Sequence, residues 1–426
     1  MIDTRQQLAA LRQRIAAIDN KFAQPVSPSP ASNIEPGVHF RFARSFIEEW
    51  SEGEVVTNEF GAHFQTERLF PKYRCHGSAD IGALAELPHD LLDALGKGEI
   101  PASAPERWAF LDTETTGLAG GSGTYAFLIG VGRITPEGFR VRQFFMREYA
   151  EEGSVLHALE QHLSEFEVLV TYNGKSYDQP LLETRYRMNR RRLPFGHLPH
   201  LDLLHGARRL WKLRLENCRL MMLEQEILGF EREGDVPGEL IPYIYFEYLR
   251  SREAQRVVPI LHHNAIDILT LGCLTAIVPA VFRTSDPDSL AELGVRRGED
   301  LAGIGRWLLA AGEHEQALTI FKRAAQSRLS DALLFRVLWD IASLEKKLAG
   351  SHAALPVLTE LAGCRNDYRV SALEELAKFY EHEERNYAMA LDFTEQALQH
   401  EETTALRHRH ARLLKRIAKL RTRRLL

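Results

Sequence analysis

Two acidic residues follow an apolar segment, residues 108–111, in the string DTETTGL at positions 112–118. Side chains two residues apart on a β-strand point to the same face, so we expect Asp112 and Glu114 to project together from the strand end. Two neighbouring carboxylates repel each other unless cations lie between them. Mg²⁺ and Mn²⁺ favour oxygen ligands, so the pair indicates a divalent-cation site. A solvated pair of acids is the alternative, but it leaves the rest of the string unexplained.

A second polar turn follows the apolar segment 168–170 and leads into the start of a helix. Asp178 lies just beyond this turn, where backbone N–H groups at the helix start can hold a carboxylate. Asn173 can orient either a substrate or the turn itself. Taken alone, Asp178 is more typical of a helix cap than of a metal ligand.

The segment 260–269 has helical spacing and contains His262, His263 and Asp267. His263 lies one turn before Asp267 on the same helix face, and His262 lies five residues before it. An imidazole beside a metal-bound carboxylate can accept a proton from an attacking water, because its ordinary pKa is close to neutral pH. If this helix stood alone, a structural histidine would be the better interpretation.

The composition is that of a globular protein with two or three domains, since 45% of the 426 residues are hydrophobic and 26% are charged. A net charge of −5 neither indicates nor excludes nucleic acid as a partner. The longest apolar run, residues 271–282, is shorter than the roughly 20 residues that span a bilayer. We therefore expect no transmembrane segment and a cytoplasmic location.

The pattern of apolar residues predicts four regions. Residues 1–37 form an amphipathic helix and a linker rich in Pro and Ser, and residues 38–106 form a mixed region with a hairpin at 54–57 and 63–66. Residues 107–282 contain strands at 108–111, 125–131, 140–145 and 168–172, with a helix near 155–166, and become largely helical beyond Asp178. Residues 290–426 carry no strand signal. The predicted fold class is an α/β domain followed by an all-α domain.

An internal repeat runs through the C-terminal region. Ala317, Ala354 and Ala390 each precede a leucine, and they recur at steps of 37 and 36 residues. This spacing is close to the 34-residue period of tetratricopeptide repeats, which residues 301–399 resemble in a degenerate form. An ordinary helical bundle is the alternative.

In their order along the chain, the three acidic motifs resemble those of the DEDD superfamily of 3′–5′ exonucleases, which have a ribonuclease H-like fold. The second motif is similar to the form found in proofreading domains of family B DNA polymerases. In that subgroup a Tyr stands four residues before the last Asp, where this chain has His263, whereas His262 matches the spacing of the histidine subgroup. We favour His263 slightly as the general base and retain His262.

A second resemblance covers more of the chain. Several strings, among them DVPG at 235–238, resemble the YprB-like ribonuclease H-like proteins of bacteria over residues 108–278. Some members of that family carry a tetratricopeptide-like C-terminal region. The resemblance implies exonuclease chemistry and leaves the pathway open.

The implied reaction is phosphodiester hydrolysis with two divalent cations, Mg²⁺ or Mn²⁺, about 3.5–4 Å apart. According to the resemblance, Asp112 would bridge both ions, and Glu114 and Asp267 would complete the site of the ion that activates water. Asp178 would hold the second ion, directly or through water. His263 or His262 would accept the proton of the water.

Local clusters of basic residues predict contacts to single-stranded DNA or RNA, because cations bind phosphates and aromatic rings stack on bases. A solvated helix face is about equally compatible with each cluster. The basic segment 407–426 is compatible with nucleic acid, an acidic partner or lipid. The candidate nucleic-acid-binding residues are Asn173, Arg190, Arg191, Arg192, Arg208, Arg209 and Lys212.

Two other functions remain open. The chain could be a nucleic-acid-binding or protein-docking scaffold with weak or no turnover, and its repeats could recruit a protein partner. It could also cut within strands, as RuvC-like endonucleases do. The four filled acidic positions favour an active enzyme.

Overall fold

A computed structural model of the protein describes residues 46–96, 98–117, 123–192 and 194–425. The chain divides into two compact units. Among the described residues, the sheet unit comprises those up to His205 together with Arg219–Pro279, and the helical unit comprises Gly206–Cys218 together with those from Ala280 onward. The predicted helix and linker at 1–37 lie outside the described residues.

Nine strands occur among the described residues of the sheet unit. They are β1 (Glu54–Asn58), β2 (Gly61–Pro71), β3 (Cys75–His76), β4 (Ala79–Asp80), β5 (Trp108–Thr115), β6 (Ala126–Thr135), β7 (Gly138–Phe145), β8 (Val168–Thr171) and β9 (His200–Asp202). Seven of them form one sheet with the order β1-β2-β7-β6-β5-β8-β9, and β3 and β4 form a separate hairpin. β8 pairs in parallel with β5 and β9, and the other neighbours are antiparallel.

Among the described residues, helices alternate with the later strands and then make up the C-terminal part of the chain. The first seven are α1 (Asp93–Gly96), α2 (Glu152–Leu163), α3 (Asp178–Met188), α4 (Leu203–Trp211), α5 (Leu220–Leu223), α6 (Ile241–Ser251) and α7 (Val258–Arg283). The remaining eight are α8 (Pro287–Glu292), α9 (Gly298–Ala311), α10 (His314–Ala325), α11 (Asp331–Ala349), α12 (Ser351–Gly363), α13 (Arg369–His382), α14 (Tyr387–His400) and α15 (Thr404–Leu425). The predicted fold class, α/β followed by all-α, is confirmed.

The region before the first predicted α/β strand contributes to the same sheet. The hairpin expected in this region is present as β1 and β2, and β2 also pairs with β7 along eight positions, from Phe64 opposite Phe145 to Pro71 opposite Gly138. Phe64 is fully buried in the core that β5, β6 and β7 share with α2 and α6. The hairpin was predicted in a separate mixed region, because pairing with a strand about 75 residues away leaves no local signal.

Two further elements differ from the sequence-based expectation. β5 continues through Thr115, so Asp112 and Glu114 lie within the strand rather than beyond its end. This extension is supported by β6, since Asp112 pairs with Gly130 and Glu114 pairs with Leu128. The three-residue strand β9 was not predicted, because three residues are too few for a periodic pattern.

The long helix α7 lies very close to strand β6. A Cβ atom added to Gly130 would lie 2.3 Å from Asn264 Oδ1 and 2.3 Å from Ile268 Cδ1. One added to Gly132 would lie 2.5 Å from Ile268 Cγ2. Glycine at both positions therefore lets the helix pack directly on the strand backbone.

One helical segment of the described residues, Ala254–Arg283, is long and apolar enough to cross a bilayer. In its most apolar window, 78% of the segment is buried inside the protein. Burial of this kind is typical of a core helix in a globular domain.

From α9 to α15, consecutive helices of the helical unit pack against each other. Ala317, Ala354 and Ala390, which define the predicted repeat, are all fully buried and lie on α10, α12 and α14, the second helix of each successive pair. Gly312 ends α9 in a left-handed conformation with φ of 87°. The helical character of this region is confirmed, and its classification as tetratricopeptide repeats stays a prediction.

Some arginines of the basic C-terminal segment form hydrogen bonds within the helical unit. The buried carboxylate of Glu381 accepts hydrogen bonds from Arg412 at 2.9 and 2.7 Å and from Arg416 at 3.3 Å. These arginines of α15 therefore stabilise the unit and are not free cations on its surface.

Replacing Gly130 with Ala is expected to destabilise the protein by about 1–3 kcal/mol, the usual cost of overpacking a core. Asn264 cannot simply turn away, because its Oδ1 accepts a hydrogen bond from Gln143 Nε2 at 2.8 Å. Urea unfolding monitored by circular dichroism measures the change. Gly196→Ala is the matched control, since an added Cβ there meets nothing within 4 Å. Equal stability of the two variants would contradict the close packing of α7 on β6.

Candidate metal centre

Strand β5 supplies two of the acidic side chains at the centre of the sheet. Asp112 and Glu114 are two residues apart on this strand, which lies between β6 and β8. The side chain of Asn264 on α7 donates a hydrogen bond to Asp112 Oδ2 at 2.8 Å. Because α7 packs against the glycines of β6, this amide reaches the carboxylate directly.

The third acid begins helix α3. Asp178 is the first residue of that helix, and its Oδ1 accepts a hydrogen bond from the hydroxyl of Thr113 at 2.5 Å. The carboxylate is therefore tied to strand β5 as well as to its own helix. Asn173, in the preceding turn, has a left-handed backbone with φ of 65°, and its N–H donates to Asp202 at 2.8 Å.

Helix α7 brings an imidazole and the fourth carboxylate to the same place. His263 Nε2 lies 3.9 Å from Glu114 Oε1 and 3.5 Å from Asp267 Oδ2. One ligand atom from each of these three residues lies within 4.8 Å of the other two. One residue of β5 and two residues of α7 thus form a group with the spacing of a metal site.

The side chain of His262 does not face the carboxylates. It is exposed, and its Nδ1 lies 2.6 Å from a guanidinium nitrogen of Arg68 on β2. Consecutive residues on a helix differ by about 100° in direction, so the two histidines cannot both face the carboxylates. Of the two candidates for the general base, the structure places His263 at the acidic group.

Three of the acids, Asp112, Glu114 and Asp178, have a raised pKa. Burial raises the pKa of Asp112 well above its ordinary value, and the charges of Asp267 and Asp178 raise it further. Burial, and next the charge of Asp112, raise the pKa of Glu114 well above its ordinary value. Burial also raises the pKa of Asp178 to about 6. Each of these carboxylates is therefore costly to keep charged without a cation.

The donor set fits hard divalent cations. Within the part of the chain that the structure describes, no lysine or arginine forms an ion pair with Asp112, Glu114 or Asp178. Four carboxylates and one imidazole provide mainly oxygen ligands, which suit Mg²⁺ and Mn²⁺. Repulsion among the carboxylates would be relieved by such ions.

Sequence reasoning missed a group of residues behind the acids. The guanidinium of Arg232 donates to Asp235 Oδ2 at 3.0 Å and also to Glu224 and Asp267. Asp235 in turn lies 2.8 Å from His263 Nδ1. The only sequence signal for this segment was the string at 235–238, which supported the family resemblance but predicted no role for Asp235. Arg232 had no signal, because its contact with Asp267 joins it to helix α7, a distant part of the chain.

The predicted nucleic-acid-binding residues differ in their surroundings. Arg191 donates to Glu160 Oε2 at 2.5 Å, and its guanidinium lies 4.3 Å from the centre of the Phe60 ring. This side chain therefore links the segment after α3 to α2 and to the β1–β2 turn, and its role in nucleic-acid binding stays a prediction. The exposed candidates are Arg190 and Arg192 after α3, and Arg208, Arg209 and Lys212 at α4 in the helical unit.

Residues 109–278 match the family model of the RNase H superfamily, and the sheet order and acidic site agree with that class. The fold is thus of the nuclease type, and ribonuclease H-like domains typically bind divalent metals and act on nucleic acids. Over 314 residues the chain is 34% identical to YprB of Bacillus subtilis (strain 168), covering 71% of this chain and 73% of that protein. The chain belongs to the YprB family, which confirms the resemblance in its sequence.

Replacing Asp112 with Asn is expected to raise the melting temperature of the metal-free protein at pH 8. The pKa of Asp112 is higher in the folded than in the unfolded state, so its charge destabilises the fold at pH values above both. The gain should vanish near pH 4, where the carboxyl is protonated in the folded protein. Each kcal/mol gained corresponds to roughly 2–4 °C for a unit of this size.

After treatment with chelator, added Mn²⁺ should raise the melting temperature of the native protein but not that of Asp112→Asn. Differential scanning fluorimetry measures both effects. Asp367→Asn, at an exposed position between α12 and α13, is the matched control and should leave both unchanged. A native melting temperature that Mn²⁺ does not raise would refute the metal centre.

Proposed function

We propose that this protein is a metal-dependent nuclease that acts as a 3′–5′ exonuclease on single-stranded DNA or RNA. The observation that carries the proposal is the convergence of Glu114, His263 and Asp267 within 4.8 Å. Asp112 and Asp178 border this group, since both raise the pKa of Glu114. The order of these acids along the chain is the one that resembles the DEDD exonucleases.

The carboxylates have separate tasks in this proposal. Asp112, Glu114 and Asp267 would hold one divalent cation, and Asp112 and Asp178 would hold a second. When bound, the two ions supply a nucleophilic water at neutral pH and neutralise charge at the scissile phosphate. Asn264 and Thr113 keep Asp112 and Asp178 in fixed orientations through the hydrogen bonds described above.

His263 is the proposed general base. Burial alone would lower its pKa, but Asp267 and Asp235 outweigh burial and raise it. The Nε2 atom faces Glu114 and Asp267, where a water held by these carboxylates would lie within reach. His262 has no such position, because it contacts Arg68.

The exposed basic residues are proposed to hold the phosphates of the substrate. Arg190 and Arg192 serve this role in the sheet unit, and Arg208, Arg209 and Lys212 serve it in the helical unit. Asn173 is proposed to fix the turn before Asp178, because its backbone adopts the left-handed conformation found in this turn. The repeats are proposed to contact a protein partner.

Incubation of labelled single-stranded DNA and RNA with the protein tests the proposal. With Mn²⁺ or Mg²⁺ we expect a ladder that shortens from the 3′ end, and with chelator no cleavage. Asp112→Asn and Glu114→Gln should each lower the rate at least 100-fold, because each removes a metal ligand. Asp367→Asn is the matched control and should retain the native rate.

Three other results would decide against this proposal in distinct ways. Cleavage of circular strands, which have no ends, would identify an endonuclease. Binding of the oligonucleotides without cleavage would identify a scaffold. Activity that persists in Asp112→Asn would place the reaction outside the acidic site.

Removal of two exposed cations by Arg208→Gln/Arg209→Gln should weaken binding of single-stranded oligonucleotides and flatten its salt dependence. Each phosphate contact contributes about 0.7 to the slope of log K against log salt, so the slope should fall by roughly 1.4. Fluorescence anisotropy measures the slope between 50 and 200 mM salt, a range in which contacts of this type respond strongly. Arg328→Gln/Arg365→Gln, also exposed in the helical unit, is the matched control. Equal slopes for both variants would remove α4 from the proposed interface.

A further inference from the structure

A buried polar cluster lies directly behind the acidic site, and one of its members, Asp235, contacts the proposed general base. Its members are Glu224, Arg232, Asp235 and Thr270, with His76 from β3. Arg232 and Glu224 are almost fully buried, at 7% and 1% side-chain exposure. Buried charges of this kind persist only where each is paired and hydrogen-bonded.

The hydrogen bonds of Asp235 determine which ring nitrogen of His263 carries a proton. Asp235 Oδ1 accepts from the backbone N–H of Val236 at 2.8 Å, and Oδ2 accepts from Arg232 at 3.0 Å. His263 Nδ1 lies 2.9 and 2.8 Å from the same two oxygens. A carboxylate can only accept hydrogen bonds, so the proton of this contact belongs to His263 Nδ1.

The other ring nitrogen is then fixed as well. A neutral imidazole with its proton on Nδ1 carries a lone pair on Nε2. That atom is directed at Glu114 and Asp267, at 3.9 and 3.5 Å. Asp235 therefore determines both the orientation of the ring and the atom that can accept a proton.

Arg232 fixes Asp235 in place. Its three guanidinium nitrogens each donate to a different carboxylate, those of Glu224, Asp235 and Asp267. Glu224 is itself held by Thr270 and lies 3.1 Å from His76 Nε2. The planar guanidinium thus sets Asp235 and Asp267 at fixed positions relative to each other.

We propose that Asp235 is a positioning residue for the nuclease reaction, holding His263 with its Nδ1 protonated and its Nε2 free to accept a proton. This inference rests on the proposed function. In the reaction, one water oxygen bonds to the scissile phosphorus and the bond from phosphorus to the 3′ oxygen breaks. One proton of the water passes to His263 Nε2, and the departing 3′ oxygen takes a proton from solvent. The Asp235 carboxylate stabilises the imidazolium that forms.

The first experiment measures the proton position without any substrate. Selective ¹⁵N labelling of the 17 histidines, with His263→Gln to assign the signal, gives the tautomer of His263 at pH 8.5 in the presence of Mg²⁺. We expect Nδ1–H in the native protein and a loss of this tautomer in Asp235→Asn. A native protein with its proton on Nε2 would overturn the proposal, whether or not Asp235→Asn folds.

The second experiment measures how Asp235 acts on turnover. Asp235→Asn should lower kcat at least 10-fold, because losses of 10–100-fold are typical for such supporting carboxylates. KM and the Mn²⁺ dissociation constant, measured by calorimetry, should stay within about threefold of the native values. Combined with His263→Gln it should cause no further loss, since residues that act through one group are not additive. Asp367→Asn is again the control.

The outcomes separate this inference from the proposed function. Additive losses in the double variant, or weaker Mn²⁺ binding with unchanged kcat, would overturn the positioning role of Asp235 while the protein remains a nuclease. A native protein without nuclease activity would refute the proposed function, and the tautomer measurement would then still decide whether Asp235 controls His263.

Discussion

Electrostatic repulsion among Asp112, Glu114 and Asp267 opposes folding of the sheet unit, and much of the surrounding structure counteracts it. The three carboxylates come from two elements, β5 and α7, that are joined by the close packing of α7 on β6. One of them has a permanent cationic partner, because Arg232 pairs with Asp267. The other two depend on dipoles of the protein, such as the amide of Asn264, and on ions from solution.

The sequence was informative where chemistry is encoded locally. The two-residue spacing of Asp112 and Glu114 on a strand, and the four-residue spacing of His263 and Asp267 on a helix, both place side chains on one face of a single element. The structure follows these placements, and each motif lies on the element predicted for it. The buried alanines of the helical repeat are a further example, since their period is a property of the chain alone.

Features that depend on tertiary contacts could not be predicted in this way. The pairing of β2 with β7 and the short strand β9 require partners that are distant in sequence. The same reason applies to Arg232 and Asp235, whose environment is created by other segments. Arg191 is a further example, because a basic sequence run does not reveal that Glu160 and Phe60 contact one of its members.

The two glycines of β6 have a consequence for how the site can change during evolution. At Gly130 and Gly132 the helix rests on backbone rather than on interlocking side chains, so the separation between β5 and α7 is set mainly by main-chain geometry. Substitutions among the apolar residues elsewhere in the core then alter stability without altering the distances between the ligands. Sequence drift in the core and conservation of the reactive geometry are therefore compatible in this fold.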